Sequence, residues 1–485
     1  MASIRLRKQR RLSRAQRRQL KKQQARKARV TRRQLRDNYN HLPDLARNVL
    51  QPLAAAFTRP TFVRFVVLTL AAILTVGSRT ICKLLRTAGA LAPGAPSTYH
   101  RVLSHRRWSG WRLARLLADW IFTRLVPDGP IYLAADDTVD EHRGKKVFGK
   151  GCHRDPVRST HSFTAYRWGH KWVVVTVLVR FPFATRRWAL PLLVALYQSE
   201  EDNRKQRRRH KTPPQLLRQM LRVLLRWFPD RQFVCSADGN FATHELARLA
   251  ARSRGRLTFV SLFYADANLY QPAPRYSGHG RPRKKGKKLP GPAEVVRATA
   301  RRRRLNVAWY GGGRRDVATV TGAAQWYRAG EGLVPVRWVF VHDCTGTHRD
   351  EYYFTTDLGM TPAALIETYT GRWNIETTFQ EMRAYLGLET TRGRLRTTVL
   401  RMAPCLFGLY TVVALLYASL PRSRAQVRVM AWRGKRDVTF SDAITAVRRW
   451  LWQEWVFAIP GHREAFAKLS RPLRDILLNG LAPAG

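Results

Sequence analysis

The sequence predicts an α/β fold with helical regions on either side of a mixed sheet. Three observations carry this. Apolar runs of strand character begin near residue 130: "IYLAADDT", "HSFTAYRW", "KWVVVTVLVRFPF", "RQFVCSADGNF" and "LTFVSLF". Amphipathic helical stretches, "PQLLRQMLRVLLRWF" and "THELARLAARS", are interleaved with them. Before about residue 125 and after about 396 the pattern is helical. The first strands read as an antiparallel meander, with a turn expected at Gly169-His170.

A chain of 485 residues is too long for one simple core. Residues 1 to 40 carry 16 Lys and Arg and one acid, Asp37. They read as a basic arm, disordered or helical only when bound. Residues 41–125 form a helical region, with a turn at Gly77-Ser78, a helix ending at Gly89 and Ser97 as an N-cap. A turn followed by a basic helix suits DNA reading. Residues 126–395 hold the α/β part. Within it, about 255–355 reads as a β-rich insertion with a Gly/Pro/Lys/Arg-rich loop. Residues 396–485 are a helical tail.

The charge balance is 88 Lys+Arg against 32 Asp+Glu, net +56. Such self-repulsion calls for a polyanionic partner, and nucleic acid is the obvious one. Five scattered cysteines with no C-x-x-C pair argue against a disulfide scaffold or zinc finger. With no apolar signal in the first thirty residues, a cytoplasmic protein is expected. Phe65–Val76 is too short to span a bilayer, and Ala403–Leu420 reads as a buried core helix. "GKGCHRD" lacks the G-K-[ST] of a phosphate loop, so no ATP is expected. Cys152, His153, His161 and His170 lack paired-ligand spacing and read as incidental.

"YTGRWNIETTFQEMR", Tyr369 to Arg383, concentrates the chemistry. On a helix at ~100° per residue, Tyr369, Arg372, Glu376 and Arg383 fall within an arc of roughly 60°. Ile375, Phe379, Met382 and Leu386 occupy an adjoining arc, and Glu381 points elsewhere. Asp136-Asp137-Thr138 and Asp238 end two hydrophobic strands, where a sheet can hold ligand groups in a cleft. Aspartates there with a helical glutamate could hold two Mg²⁺ ions, since hard cations take carboxylate oxygens.

Asp…Asp…Glu with Y-x2-R-x3-E-x6-R around the glutamate resembles the DDE insertion-sequence transposases of bacteria, in the branch marked by Y-x2-R-x3-E-x6-K. The likeness spans about residues 50 to 420. It implies an RNase H-like fold: a five-stranded mixed sheet with flanking helices and a β-rich insertion before the glutamate. It implies catalytic and metal-ligating roles for Asp238, Glu376 and either Asp136 or Asp137, with a slight lean to Asp137. Tyr369, Arg372 and Arg383 would hold phosphates, Arg383 standing where the family has lysine. It also implies Mg²⁺ as cofactor (two ions, Mn²⁺ substituting), double-stranded DNA as substrate and a homodimer on the DNA. The expected product is a bacterial protein of the cytoplasm, on the nucleoid when DNA-bound. Trp309, Trp326 and Trp338 could stack a flipped base but read as sheet core. The alternatives are a catalytically silent DNA-binding descendant, a nuclease without strand transfer, and a membrane-associated basic protein.

Overall fold

A computed structural model describes residues 13–155, 159–160, 162–276, 278, 280–425, 435 and 437–483. The chain divides into two compact units. One comprises residues 1–113, 415–431 and 441–485, and the other residues 114–414 and 432–440. Most of the C-terminal helical residues cluster with the N-terminal ones, while residues 396–414 belong to the second unit.

In the helical unit, the arm expected to be disordered or helical only when bound is a helix over Arg14–Asn40. Its Arg, Lys, Gln and Ala are strong helix formers. A capping box starts it: the Gln16 N–H donates to Ser13 Oγ at 3.2 Å, and the Ser13 N–H to Gln16 Oε1 at 2.9 Å. Its far end is anchored by buried Leu35 and by Tyr39, whose ring meets Phe62 edge-on at 5.9 Å. Residues 1–12 of the arm lie outside the described residues.

The helices Arg59–Leu74 and Ile81–Ala88 follow, separated at Gly77 (φ 74°) as the sequence implies. The next helix, Pro96–Ser104, has Ala95 as its N-cap; Ser97 sits inside its first turn instead. The C-terminal carbonyls of Arg59–Leu74 are met by buried guanidinium groups. Arg79 Nε donates to Ala72 O at 3.3 Å, and Arg448 Nε to Ile73 O at 2.7 Å. This satisfies orphan carbonyls and places positive charge at the negative helix end. Arg448 lies on the helix Phe440–Leu451, so it ties the C-terminal segment into this unit.

The second unit is built on one mixed sheet of eleven strands among the described residues. Its core is β4 (Trp188–Tyr197), β3 (Tyr166–Val179), β1 (Ile131–Glu141), β5 (Phe233–Ala237) and β6 (Leu257–Leu262), adjacent in that order. β3 is antiparallel to both β4 and β1, while β1, β5 and β6 run parallel. This five-strand mixed core with flanking helices is the RNase H-like arrangement. The short β2 (Gly151–Arg154) also pairs with β3.

Beyond β6 the sheet continues antiparallel through β11 (Glu351–Thr355), β10 (Gly332–Asp343) and β9 (Arg314–Arg328). β7 (Leu269–Tyr270) and β8 (Arg303–Ala308) both pair with β9. The added strands begin after Leu262 rather than near 255, because β6 belongs to the core.

No turn forms at Gly169-His170, and β3 runs straight through. Gly169 faces Glu141 of β1 on one side and Gly151 of β2 on the other. A Cβ there would lie 1.9 Å from Asp140 O, so the glycine serves close strand approach. Val173, Val174, Val175 and Val177 are fully buried, as their near-continuous apolar run implies.

The helix Arg396–Ser419 is long and apolar enough to cross a membrane by length and composition alone. In the sheet unit its part is packed as core: Thr411 Oγ1 donates to Pro191 O at 2.9 Å, and Phe407 meets Phe379 edge-on.

Candidate active site

Register places the first two acids side by side. β1 and β5 run parallel with Ala135 opposite Ala237, and the next residue on each chain is Asp136 and Asp238. Asp238 leaves β5 and caps the short turn Gly239–Phe241. Ser261 Oγ donates to Ala237 O at 2.9 Å and to Asp238 O at 3.1 Å, which fixes the exit of the strand. A Cβ on Gly239 would lie 2.7 Å from the end of the Leu262 side chain, so the turn packs closely against β6.

The expected single helix from Tyr369 is two, Pro362–Gly371 and Asn374–Leu386. Between them, Arg372 and Trp373 keep right-handed helical angles. Their N–H groups bond three residues back, to Tyr369 O at 3.1 Å and Thr370 O at 3.2 Å. The interruption is slight, so Arg372 and Glu376 remain one turn apart.

Arg372 gathers three acids. Its Nη1 donates to Asp136 Oδ2 at 2.7 Å and its Nη2 to Glu376 Oε1 at 3.0 Å, with Asp238 Oδ1 3.6 Å from Nη2. The guanidinium side chain is only 7% exposed, whereas the Glu376 carboxylate is 44% exposed. Asp137 points away. Cross-strand pairing puts Asp136 with Val174 and Asp137 with Val173, on opposite faces of the sheet. Asp137 Oδ2 lies 3.0 Å from Lys171 Nζ instead.

The charges are crowded. Burial pushes the Asp136 carboxyl up to about 7, and neighbouring Asp238 and Asp137 push the same way against the pull of Arg372. Burial also raises Asp137, opposed by Lys171. Burial works against the Arg372 cation, but Asp136, Tyr369, Asp238 and Glu376 outweigh it and hold the guanidinium above its ordinary range.

Tyr369 is buried, whereas the Arg383 side chain is about a third exposed. Tyr369 is buried with Val339, Val341 and Ile366, its ring stacked on Tyr353 at 4.3 Å and Arg372 lying 5.7 Å above it. Burial raises its hydroxyl far above the ordinary value. Arg383 donates to Thr138 Oγ1, and its Nε lies 3.3 Å from Glu389 Oε1. Glu389 is also 3.4 Å from Arg167. Lys171, Glu389 and Arg167 had no signal in the sequence; their partners are set by strand register and a loop contact over long separation.

Glu381 is structural, paired with Arg186 at 2.8 Å and accepting from the Tyr410 hydroxyl at 2.7 Å. Trp309, Trp326 and Trp338 are all buried, as sheet core. Cys152 and His153 alternate on β2, one exposed and one buried, while His170 is taken by Asp140 and the Phe148 carbonyl. His161 lies outside the described residues.

Asp136, Asp238 and Glu376 supply the hard oxygen donors a Mg²⁺ site needs, and their mutual crowding is what a cation would relieve. Among the described residues no three such side chains stand close enough to share one ion, because Arg372 lies between them. As placed, the three carboxylates are gathered on a guanidinium rather than on a common metal position.

Residues 52–316, more than half the chain, match the family described as DDE superfamily endonuclease, and the chain belongs to it. Residues 330–415, which include Glu376, match the family described as "Archaeal putative transposase ISC1217". The protein is thus a transposase of the DDE class. No curated protein matches it. Among solved structures, the cryo-EM structure of the piggyBac transposase synaptic complex with hairpin DNA is similar. Its TM-score is 0.37 and its identity 10%, over 90% of this chain and 81% of that one, a likeness too remote to carry an argument.

Proposed function

We propose that this protein binds the terminal inverted repeats of its own insertion sequence, cuts the DNA at those ends and joins the freed 3′-hydroxyls to target DNA. The observation that supports it most is the convergence of Asp136, Asp238 and Glu376 on one buried arginine. Those three carboxylates would hold two Mg²⁺ ions, with Mn²⁺ able to substitute. When bound, the metal supplies activation of the attacking oxygen and stabilisation of the leaving oxygen.

The chain's own groups do the rest. Asp136, not Asp137, is the first acid in this reading, since it shares the face that carries Arg372. Arg372, released from the acids, turns its two-pronged donor set to a phosphate near the scissile bond. Tyr369 positions Arg372 from beneath, and Arg383 is a second phosphate ligand once it leaves Glu389. Neither cutting nor joining uses a covalent protein intermediate or ATP. Two copies hold two ends together, and the protein acts in the cytoplasm, on the nucleoid when DNA-bound.

The test is cleavage of a labelled duplex carrying the gene's flanking ends, comparing Asp136→Asn with Asp137→Asn. Loss of about a thousandfold or more is expected for Asp136→Asn, the scale of several kcal/mol of metal-assisted stabilisation. Asp137→Asn should stay within about tenfold of wild type. The reverse order would move the site to the other face of β1. Cutting without joined product would leave a nuclease, and tight binding without cutting a silent DNA-binding protein.

A further inference from the structure

Within the helical unit, three arginines from three separate segments meet with no acid between them. Arg32 comes from the helix Arg14–Asn40, Arg64 from Arg59–Leu74, and Arg106 follows the helix Pro96–Ser104. They line a cleft of about 180 Å³ together with Thr58, Pro60 and Thr61. Among the described residues none of the three is paired with a carboxylate; nearby Asp37 is engaged by Arg33 and Arg36. Like charges brought together at a protein surface repel, and nothing in the cleft offsets that.

Arg64 is built in rather than left waving. Its Nη1 donates to Pro60 O at 2.8 Å, and its guanidinium lies 6.0 Å over the Tyr99 ring. Its Nε is buried and has no hydrogen-bond partner. Burial lowers the Arg64 pKa against the opposing pull of Tyr99, and nearby Arg106 and Arg32 add to the lowering.

The cleft also receives the start of a 16-residue helix. Thr58 is the N-cap of Arg59–Leu74 but makes no side-chain cap, and no acid stands in the first turn. The positive end of that helix is therefore uncompensated where the three arginines meet. From the cleft a groove of about 730 Å³ continues past Arg26, Arg29, Arg36 and Arg59.

We propose that Arg32, Arg64 and Arg106, with the first turn of Arg59–Leu74, form a phosphate-binding site that takes a phosphodiester group of duplex DNA. The groove carries the neighbouring phosphates, so the helix Arg14–Asn40 lies along the DNA backbone and fixes its register. This rests on the DNA-end binding proposed above. It adds a backbone anchor, outside the acid cluster, that is indifferent to base sequence.

The test is fluorescence anisotropy with the full chain and a labelled duplex of the gene's flanking ends, across a series of salt concentrations. Arg64→Gln should weaken binding by about tenfold to a hundredfold, as expected for a charge-assisted contact. It should also lower the slope of log affinity against log salt by about one. Arg32 and Arg106 are exposed, so Arg32→Gln and Arg106→Gln keep the fold and should act in the same direction. Variants that match the wild-type affinity and slope would overturn the site. A scrambled duplex should be affected equally; an effect confined to the native ends would overturn the backbone assignment. A parallel thermal-shift series with inorganic phosphate alone separates the sources. If phosphate stabilises wild type but not Arg64→Gln while neither binds DNA, the DNA assignment is overturned and a free-anion site stands.

Discussion

Among the residues described, Arg372 is the cation within 4 Å of all three gathered acids, so its removal has a definite consequence. Arg372→Ala leaves Asp136, Asp238 and Glu376 facing one another without compensation. Breaking a buried ion pair by deleting one partner costs about 3–5 kcal/mol. The metal-free variant should lose stability of that order at neutral pH in urea unfolding. Added Mg²⁺ should restore part of it, and should raise the melting temperature of the variant more than that of wild type. Equal responses to Mg²⁺ would mean the guanidinium does not compete with metal for these oxygens. Arg372→Lys keeps the charge but loses the forked geometry, so it should recover stability better than activity.

At the scale of elements, the β2–β3–β1 strip is the tightest constraint near the site. Gly169→Ala would drive a Cβ into Asp140 O, a backbone atom that cannot rotate away. Overpacking of this kind costs about 3 kcal/mol or more, and the urea midpoint should fall accordingly. The same strip carries a pH response. His153 is buried on β2, and burial, then Lys171 and His170, hold its imidazole down at about 4. Its folded pKa lies below the unfolded value near 6.5, so the unfolded state binds the proton first. Stability from this group is full above about pH 6.5 and is lost as pH falls toward 4. His153→Gln should flatten the fall in urea midpoint over that window by on the order of 1 kcal/mol, allowing for partial solvent access.

These elements also show what a sequence reveals. The helices were legible because their periodicity is local, and so was the Arg372–Glu376 spacing, which survives a break in the helix. Gly169 was misread because a glycine alone does not distinguish a turn from a close strand contact. Asp136 and Asp137 stayed unresolved for a related reason. Alternation says that they face apart, but only pairing with Val174, Val173 and Lys171 says which way. The tethers of Arg383 to Thr138 and Glu389 depend on contacts that no local pattern encodes.

For the whole molecule, a net charge of +56 predicts that the proposed association with DNA is strongly salt-dependent. Six or more phosphate contacts would lower affinity about a thousandfold between roughly 50 and 200 mM salt, measurable by anisotropy. A shallow slope would mean that most of the basic residues face solvent rather than DNA. In the proposed reaction one set of oxygens performs both cutting and joining with a divalent metal. The most direct measurement is therefore incubation of a labelled duplex bearing the gene's own ends with target DNA and Mg²⁺, for wild type, Asp238→Asn and Glu376→Gln in parallel. Wild type should give cut ends and joined products, the variants neither, and no sample either once the metal is chelated. Products that persist in either variant, or that form without metal, would contradict the proposed reaction.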